Sequence, residues 1–283
     1  AIPFPFKESH EMNPVILKLK KKIKYRIDMS FLSNSYKDAS KLSSQIISYG
    51  NKQFKVKELF NIKGSDIKNI IIQSSVDLMD NIGKGLNNIN ITVHGNVGYS
   101  FGEQMLSGKL MLYGNALDYA ASGIKGGSIF IYGNSGDYTG GKTNHENVGI
   151  VDGFLYVKGN VGNNSIERMR RGNVIIEGNI GDYACNDMLS GTIIIKGKIG
   201  KIFAEGIKRG TIFTKDKKVV KEYTRSNDAE YNFTKFYFKE ISNVISKKIF
   251  LENKNLTRYY GNTNSSNLSE VFLFIAAFNY RVI

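Results

Sequence analysis

The chain has 283 residues, 41% of them apolar, with 29 glycines, 3 prolines, one cysteine and a net charge of +14. That composition supports one or two domains with a sizeable core, and it excludes a disordered chain, a collagen-like chain and an intramolecular disulfide framework. No run of about 18 apolar residues occurs, so no membrane-crossing helix and no membrane partner are expected.

The charge is uneven: residues 1–60 carry +7, residues 61–214 carry +2 and residues 215–283 carry +5. Basic flanks suit an acidic partner or a polyanionic ligand, but a Lys- and Asn-rich chain also arises from base composition alone, its lysines simply solvated. No nucleic-acid partner is expected. Ile2 to Phe6 holds two prolines with no charged segment before it, which is unlike a signal peptide. With Cys185 as the lone thiol, a reducing, cytoplasmic setting is the expectation.

Residues 1–11 read either as native or as foreign to the natural chain, since Met12 opens a sequence that reads naturally. Val15 to Ile27 reads as a basic strand or hairpin edge, Ser33 to Ser48 as a short helix, and Lys52 to Asn61 as a lead-in to the central segment. Residues 1–69 are therefore assigned to a small α/β flank.

Residues 70–214 carry an internal repeat. Glycines recur at Gly95, Gly114, Gly133, Gly159, Gly178 and Gly197, and again at Gly108, Gly127, Gly153, Gly172, Gly191 and Gly210. Both series step by 19 residues, and both take one seven-residue insertion in the same repeat. Between them lie short β-branched runs such as SIFIY from Ser128 and TIIIK from Thr192. These runs are too short for helices and suit strands bounded by glycine turns, at which glycine supplies positive φ. Alternation puts Leu110, Ile129, Leu155, Val174, Ile193 and Ile212 inward, with Leu112, Ile131, Val157, Ile176 and Ile195 beside them. Met105, Ile124, Ile150, Met169, Met188 and Ile207 form a third inward column, and Val97, Ala116, Ser135, Val161, Ile180 and Ile199 a fourth. The pattern predicts a mainly β fold: a right-handed parallel β-helix of 19-residue rungs, beginning with a degenerate rung at Ile70 to Val76.

The outward column reads Thr92, Met111, Phe130, Tyr156, Ile175, Ile194 and Phe213. An apolar stripe of that length marks either a partner-binding surface, for which the six residues from Met111 onward are the candidates, or a face covered by the chain's own flanks. After Lys215 the repeat stops. Phe236, Ile241, Val244, Ile245 and Ile249 fall at helical spacing, so residues 215–283 are expected to form a helical cap over the open end, followed by a loop and strand from Leu256 to Phe274.

Chemistry is sparse. His145 sits in the insertion, where function often resides, but without a nearby Cys or second His it makes a poor metal site, and no metal ligands are assigned. Asp118, Asp137 and Asp182 occupy equivalent positions and would suit acid/base work on a polysaccharide, but Tyr99, Asn163 and Lys201 break the column. Segments such as GNVGY follow strands yet open no helix, so they fail as dinucleotide fingerprints. No catalytic residue is assigned.

The run GNVGYSFGEQMLSGKLMLYGNALDYAASGIKGGSIFIYGNSGDYTGG from Gly95 resembles the C subunit of formylmethanofuran dehydrogenase and the related C domain of the large glutamate synthase subunit. YGNKQFKVKELFNIKGSD from Tyr49 and NLTRYYGNTNSSNLSEVFLF from Asn255 are similar to flanking segments of the bacterial C subunit. The resemblance implies an assembly subunit of a formyltransferase/hydrolase complex in one-carbon metabolism. It also implies that methanofuran and tetrahydromethanopterin serve the complex, that metal lies in another subunit, that this chain binds no cofactor directly, and that the polyglutamate tail of methanofuran is a possible contact for the basic flanks. Two alternatives stand beside it: a structural module related to glutamate synthase, and a stand-alone β-helix enzyme using Asp118 or Asp137.

Overall fold

The computed structural model describes residues 13–143, 145–221, 223–229, 231–245, 256–262 and 268–274. The leader 1–11 and Ile249, the last residue of the helical spacing, lie outside them. In chain order the elements are β1 (Pro14–Leu19), β2 (Ile27–Asp28), a 3-10 turn (Ser30–Ser33), α1 (Ala39–Ser44), β3 (Ile46–Tyr49), β4 (Lys52–Lys55), α2 (Val56–Leu59), β5 (Phe60–Lys63), β6 (Asp66–Ser75) and β7 (Met79–Asp80). The repeat supplies β8 (Ile89–Gly95), β9 (Gly108–Tyr113), β10 (Ser128–Ile131), β11 (Phe154–Val157), β12 (Asn173–Ile176), β13 (Thr192–Ile195) and β14 (Arg209–Thr214). The chain continues through a second 3-10 turn (Lys217–Val220), β15 (Tyr223–Ala229), α3 (Asn232–Ile245), β16 (Leu256–Asn262) and β17 (Leu268–Phe274). The fold is mainly β, with few helices and one large, mostly parallel sheet in the order β15-β16-β17-β14-β13-β12-β11-β10-β9-β8-β6-β1-β5.

The register of that sheet follows the aliphatic columns. Leu110 pairs with Ile129, Ile129 with Leu155, Leu155 with Val174, Val174 with Ile193 and Ile193 with Ile212, all in parallel. These six side chains are fully buried, as are Leu112, Ile131, Val157, Ile176 and Ile195. A slip of one residue would turn every one of them to the other face, so burial holds the register. A second parallel ladder of single bridges joins Val97, Ala116, Ser135, Val161, Ile180 and Ile199.

The glycines divide into two kinds, and this corrects the reason given for the first series. Of Gly95, Gly114, Gly133, Gly159, Gly178 and Gly197, only Gly95 has positive φ. The other five are needed for space, because a Cβ on Gly159 would lie 2.5 Å from the carbonyl oxygen of Gly133 in the preceding repeat. Positive φ belongs instead to the series from Gly108 to Gly210.

Non-glycine residues also take left-handed backbone at one corner, among them Tyr119, Ala121, Tyr138, Ile166, Tyr183 and Cys185. Such residues cost roughly 1–2 kcal/mol each relative to the right-handed form. Their N–H groups compensate by bonding alternately forward and back: Tyr119 donates to the Asp137 carbonyl at 2.9 Å, and Ala121 donates to the Phe101 carbonyl at 2.7 Å. The turns are thereby hydrogen-bonded without being strands.

The flanks extend the same sheet. β1 is not an edge: it runs parallel to β6 and antiparallel to β5, which places it between the two. Val15 and Leu17 are fully buried and pair with Ile70 and Ile72, while the intervening positions reach the surface. A four-stranded sheet, β4-β3-β2-β7, completes the N-terminal flank. Asp38 caps α1, its carboxylate accepting the Lys41 N–H at 3.0 Å. At the other end β17 pairs in parallel with β14, and β16 and β15 add antiparallel strands.

The expected helical cap is therefore corrected: strands, not a helix, extend the open end of the sheet. α3 forms as the spacing implied, but it buries Thr234, Phe238 and Ile241. Phe236 and Val244, read as part of its inner face, are exposed. Ile241 and Ile245 face the sheet as the spacing implied, so the inner face was read partly right, with Phe238 in place of Phe236.

Candidate functional site

The outward stripe is the long apolar feature on the outer face of the sheet, and its fate is decided by α3 and the last strands. Phe130, Tyr156, Ile175, Ile194 and Phe213 are all at most 3% exposed. They form one cluster with Phe238 and Ile241 of α3, Leu256 of β16, and Phe272 and Phe274 of β17. Phe213 stands at its centre, its ring centroid 5.0 Å from those of both Phe238 and Phe272. The Tyr237 hydroxyl donates to Asn173 Oδ1 at 2.7 Å and so ties α3 to β12. Burial raises the Tyr237 phenol well above its ordinary pKa, so it stays a neutral donor. Of the two occupants open to this stripe, the chain's own C-terminal flank takes it. As free docking residues these five are corrected, because docking requires surface that the fold has already removed from water. Met111, the sixth candidate, is partly buried at the margin of the cluster.

The aspartate column has a structural occupation. Asp118 Oδ1 accepts the Asp137 N–H at 2.9 Å, and Asp137 Oδ1 accepts the Asn163 N–H at 2.7 Å. Asn163 Oδ1 in turn accepts the Asp182 N–H at 2.9 Å, and Asp182 Oδ1 accepts the Lys201 N–H at 2.7 Å. Asn163 does in this ladder what its aspartate neighbours do, so the amide oxygen suffices and the charge is dispensable. A parallel ladder runs through Asn96, Asn115, Asn134, Asn160 and Asn179, each side-chain oxygen accepting the next repeat's N–H.

Asp137→Asn is accordingly expected to change stability by less than about 0.5 kcal/mol, whereas Asn160→Leu, which strands the Asn179 N–H, should lose about 1–3 kcal/mol. Urea unfolding followed by circular dichroism reads both. A large loss from Asp137→Asn would mean that the carboxylate does more than accept that bond.

The insertion is stapled to the repeats on either side. Glu146 pairs with Lys125 at 2.8 Å, and Arg168 donates to Asn147 Oδ1 at 2.9 Å. His145, immediately before Glu146, is exposed, its backbone N–H 3.4 Å from the Thr143 hydroxyl. Among the described residues no group of three His, Cys, Asp or Glu side chains could hold a metal ion. Cys185 is fully buried, and burial pushes its thiol far above the ordinary range, which suits packing rather than nucleophilic chemistry. A shallow pocket of about 350 Å³ lies on the C-terminal hairpin, where Arg258 and Glu270 pair with each other. No helix among the described residues is long and apolar enough to cross a membrane.

Sequence reading missed one surface group. Arg170, Arg171, Lys208 and Arg209 are exposed, and the repeat brings them together two turns apart. The signal was present in RMRRG and KRG, two 19-residue steps apart, but the near-neutral charge total over 61–214 concealed it.

No curated protein sequence matches the chain. Among solved structures it is similar to a chain of the formyltransferase/hydrolase complex (FhcABCD) from Methylorubrum extorquens, solved with methylofuran. The identity is 26%, the TM-score 0.77, and the match covers 92% of this chain and all of that one. The GXGXG motif family matches residues 39–272, the whole repeat, the second part of the N-terminal flank and most of the C-terminal one. The chain belongs to the GXGXG motif family.

Proposed function

We propose that this protein is a non-catalytic assembly subunit, of the C type, in a formyltransferase/hydrolase complex of tetrahydromethanopterin- and methanofuran-dependent one-carbon metabolism. One observation carries the reading: the match at TM-score 0.77 along a complete chain of such a complex. In this proposal the chain winds as a right-handed β-helix with 19-residue rungs and presents its side walls to the other subunits. Formyl transfer and metal-dependent hydrolysis take place in those partners, within the cytoplasm. The basic N- and C-terminal flanks steer the polyglutamate tail of a methanofuran-type cofactor through long-range attraction. Support for a role without catalysis comes from the aspartate column, in which each Oδ1 accepts a backbone N–H of the next repeat.

Affinity isolation of the tagged chain from its own cells, at low salt and with quantification of what co-purifies, tests the proposal. Recovery of an amidohydrolase-like metal subunit and a formyltransferase in fixed ratio is expected. Formyl-transfer activity should reside in the assembly and be absent from the isolated chain. A clean monomer, or activity from the chain alone, overturns it.

A further inference from the structure

The cationic group on the repeat stands apart from the basic flanks and from the complex proposed above. Its register is set by backbone bonds: the Arg170 N–H bonds to the Ile150 carbonyl at 2.7 Å, Leu189 to Met169 at 2.8 Å and Lys208 to Met188 at 2.8 Å. Arg170, Leu189 and Lys208 thus form one column, and Arg171, Ser190 and Arg209 the next. Adjacent strands lie about 4.8 Å apart, so the two cationic levels are separated by about 10 Å.

All four cations are exposed, and none makes an ion pair or side-chain hydrogen bond among the described residues. The neighbouring Lys125, Lys142 and Lys196, by contrast, are each paired with a glutamate. Between the two levels Leu189 is 38% exposed. Exposed Asp152, Asp187 and Glu205 bound the patch. The Asp152 carboxylate faces its own chain, accepting the Gly153 N–H at 2.7 Å.

The geometry points to a docking surface for a short acidic peptide segment of a partner protein, and we propose that occupant. Unpaired arginines favour carboxylates, which they grip in a planar fork. The apolar centre flanked by charge has the arrangement of a protein contact, where a buried side chain is surrounded by a polar rim. A sugar-phosphate backbone would leave Leu189 unused and would run on into the bounding carboxylates. An extended segment reading acidic, any residue, apolar, any residue, acidic places alternate side chains on one face. Its apolar residue would sit on Leu189 with a carboxylate at each cationic level.

The test uses the full chain and a fluorescent synthetic peptide containing Glu-Ser-Leu-Ser-Glu, titrated by anisotropy at low salt. Its Gln-for-Glu counterpart and a thymidine oligonucleotide serve as comparison probes. The Glu peptide should bind more tightly than the Gln peptide and the oligonucleotide. Charge reversal by Arg170→Glu with Lys208→Glu should weaken it by about tenfold or more, and the milder Arg170→Gln with Lys208→Gln by about threefold or more. Leu189→Ser should weaken peptide binding and leave oligonucleotide binding unchanged. Lys158→Glu with Lys198→Glu, equally basic but beyond the opposite ends of the strands and outside both flanks, should bind as the parent does. Unaltered unfolding midpoints exclude misfolding. Equal peptide binding by the parent and both patch variants overturns the proposal, as does an oligonucleotide that binds more tightly and is lost with the same substitutions.

Discussion

Gly178→Ala is expected to lower stability by about 3 kcal/mol or more, although it adds a single methyl group. The new Cβ would lie 2.4 Å from the Gly159 carbonyl oxygen and 2.5 Å from its carbon. Both atoms belong to backbone that the neighbouring repeats hold in place, with the Asn179 N–H bonded to Asn160 Oδ1 at 2.8 Å immediately alongside. Relief would require two repeats to part, and parting them breaks several rung-to-rung bonds at once. Gly85→Ala is the informative companion. Its φ is +65°, but nothing lies within 4 Å of the added atom, so only backbone strain of about 1–2 kcal/mol applies. Urea midpoints measured together separate the two causes. If Gly178→Ala proves as mild as Gly85→Ala, close approach is not what demands glycine in this series.

Phe213→Ala should cost about 3–5 kcal/mol, the range for a fully buried aromatic side chain. On an uncovered sheet face the same change would be nearly neutral. In this structure Phe213 meets the rings of Tyr237, Phe238 and Phe272. Met111→Ala, at the partly exposed end of the stripe, should cost about 1 kcal/mol or less. The variant lacking Phe213 should also bind a hydrophobic dye as α3 loosens. Equal, small effects at both positions would mean that α3 leaves the stripe in solution and returns it to the surface as a docking face.

Much of the architecture was legible because a stacked fold writes its contacts into the chain at fixed intervals. Leu155 pairs with Ile129 and Val174, and the 19-residue step to Val174 and the enlarged step from Ile129 were visible without coordinates. Inward columns therefore translated directly into register. β1 was less legible. Lysines at alternate positions made Val15 to Ile27 look like an edge, yet Val15 and Leu17 alone are enough to seat the strand between two neighbours. The role of the Gly114 to Gly197 series was misassigned because both of glycine's uses, positive φ and absence of bulk, leave the same letter in the sequence. Only the backbone angles tell the two series apart, since a Cβ would meet neighbouring backbone in both.

By itself the sequence determined what local periodicity can carry: strands bounded by glycine, a parallel stack of aliphatic columns, one interruption, and a helix-forming segment after it. The ownership of surfaces was decided by the tertiary structure alone. Ile212 pairs next with Val271, far along the chain, because the segment between them forms the outermost strand β15, lays α3 over the outward stripe and returns as β16 and β17. No fixed spacing links Phe238 to Phe213 or Tyr237 to Asn173, so no pattern announced those contacts. The physical reason is that hydrophobic burial is non-directional: an apolar stripe states that it must be covered, and chain geometry decides by what.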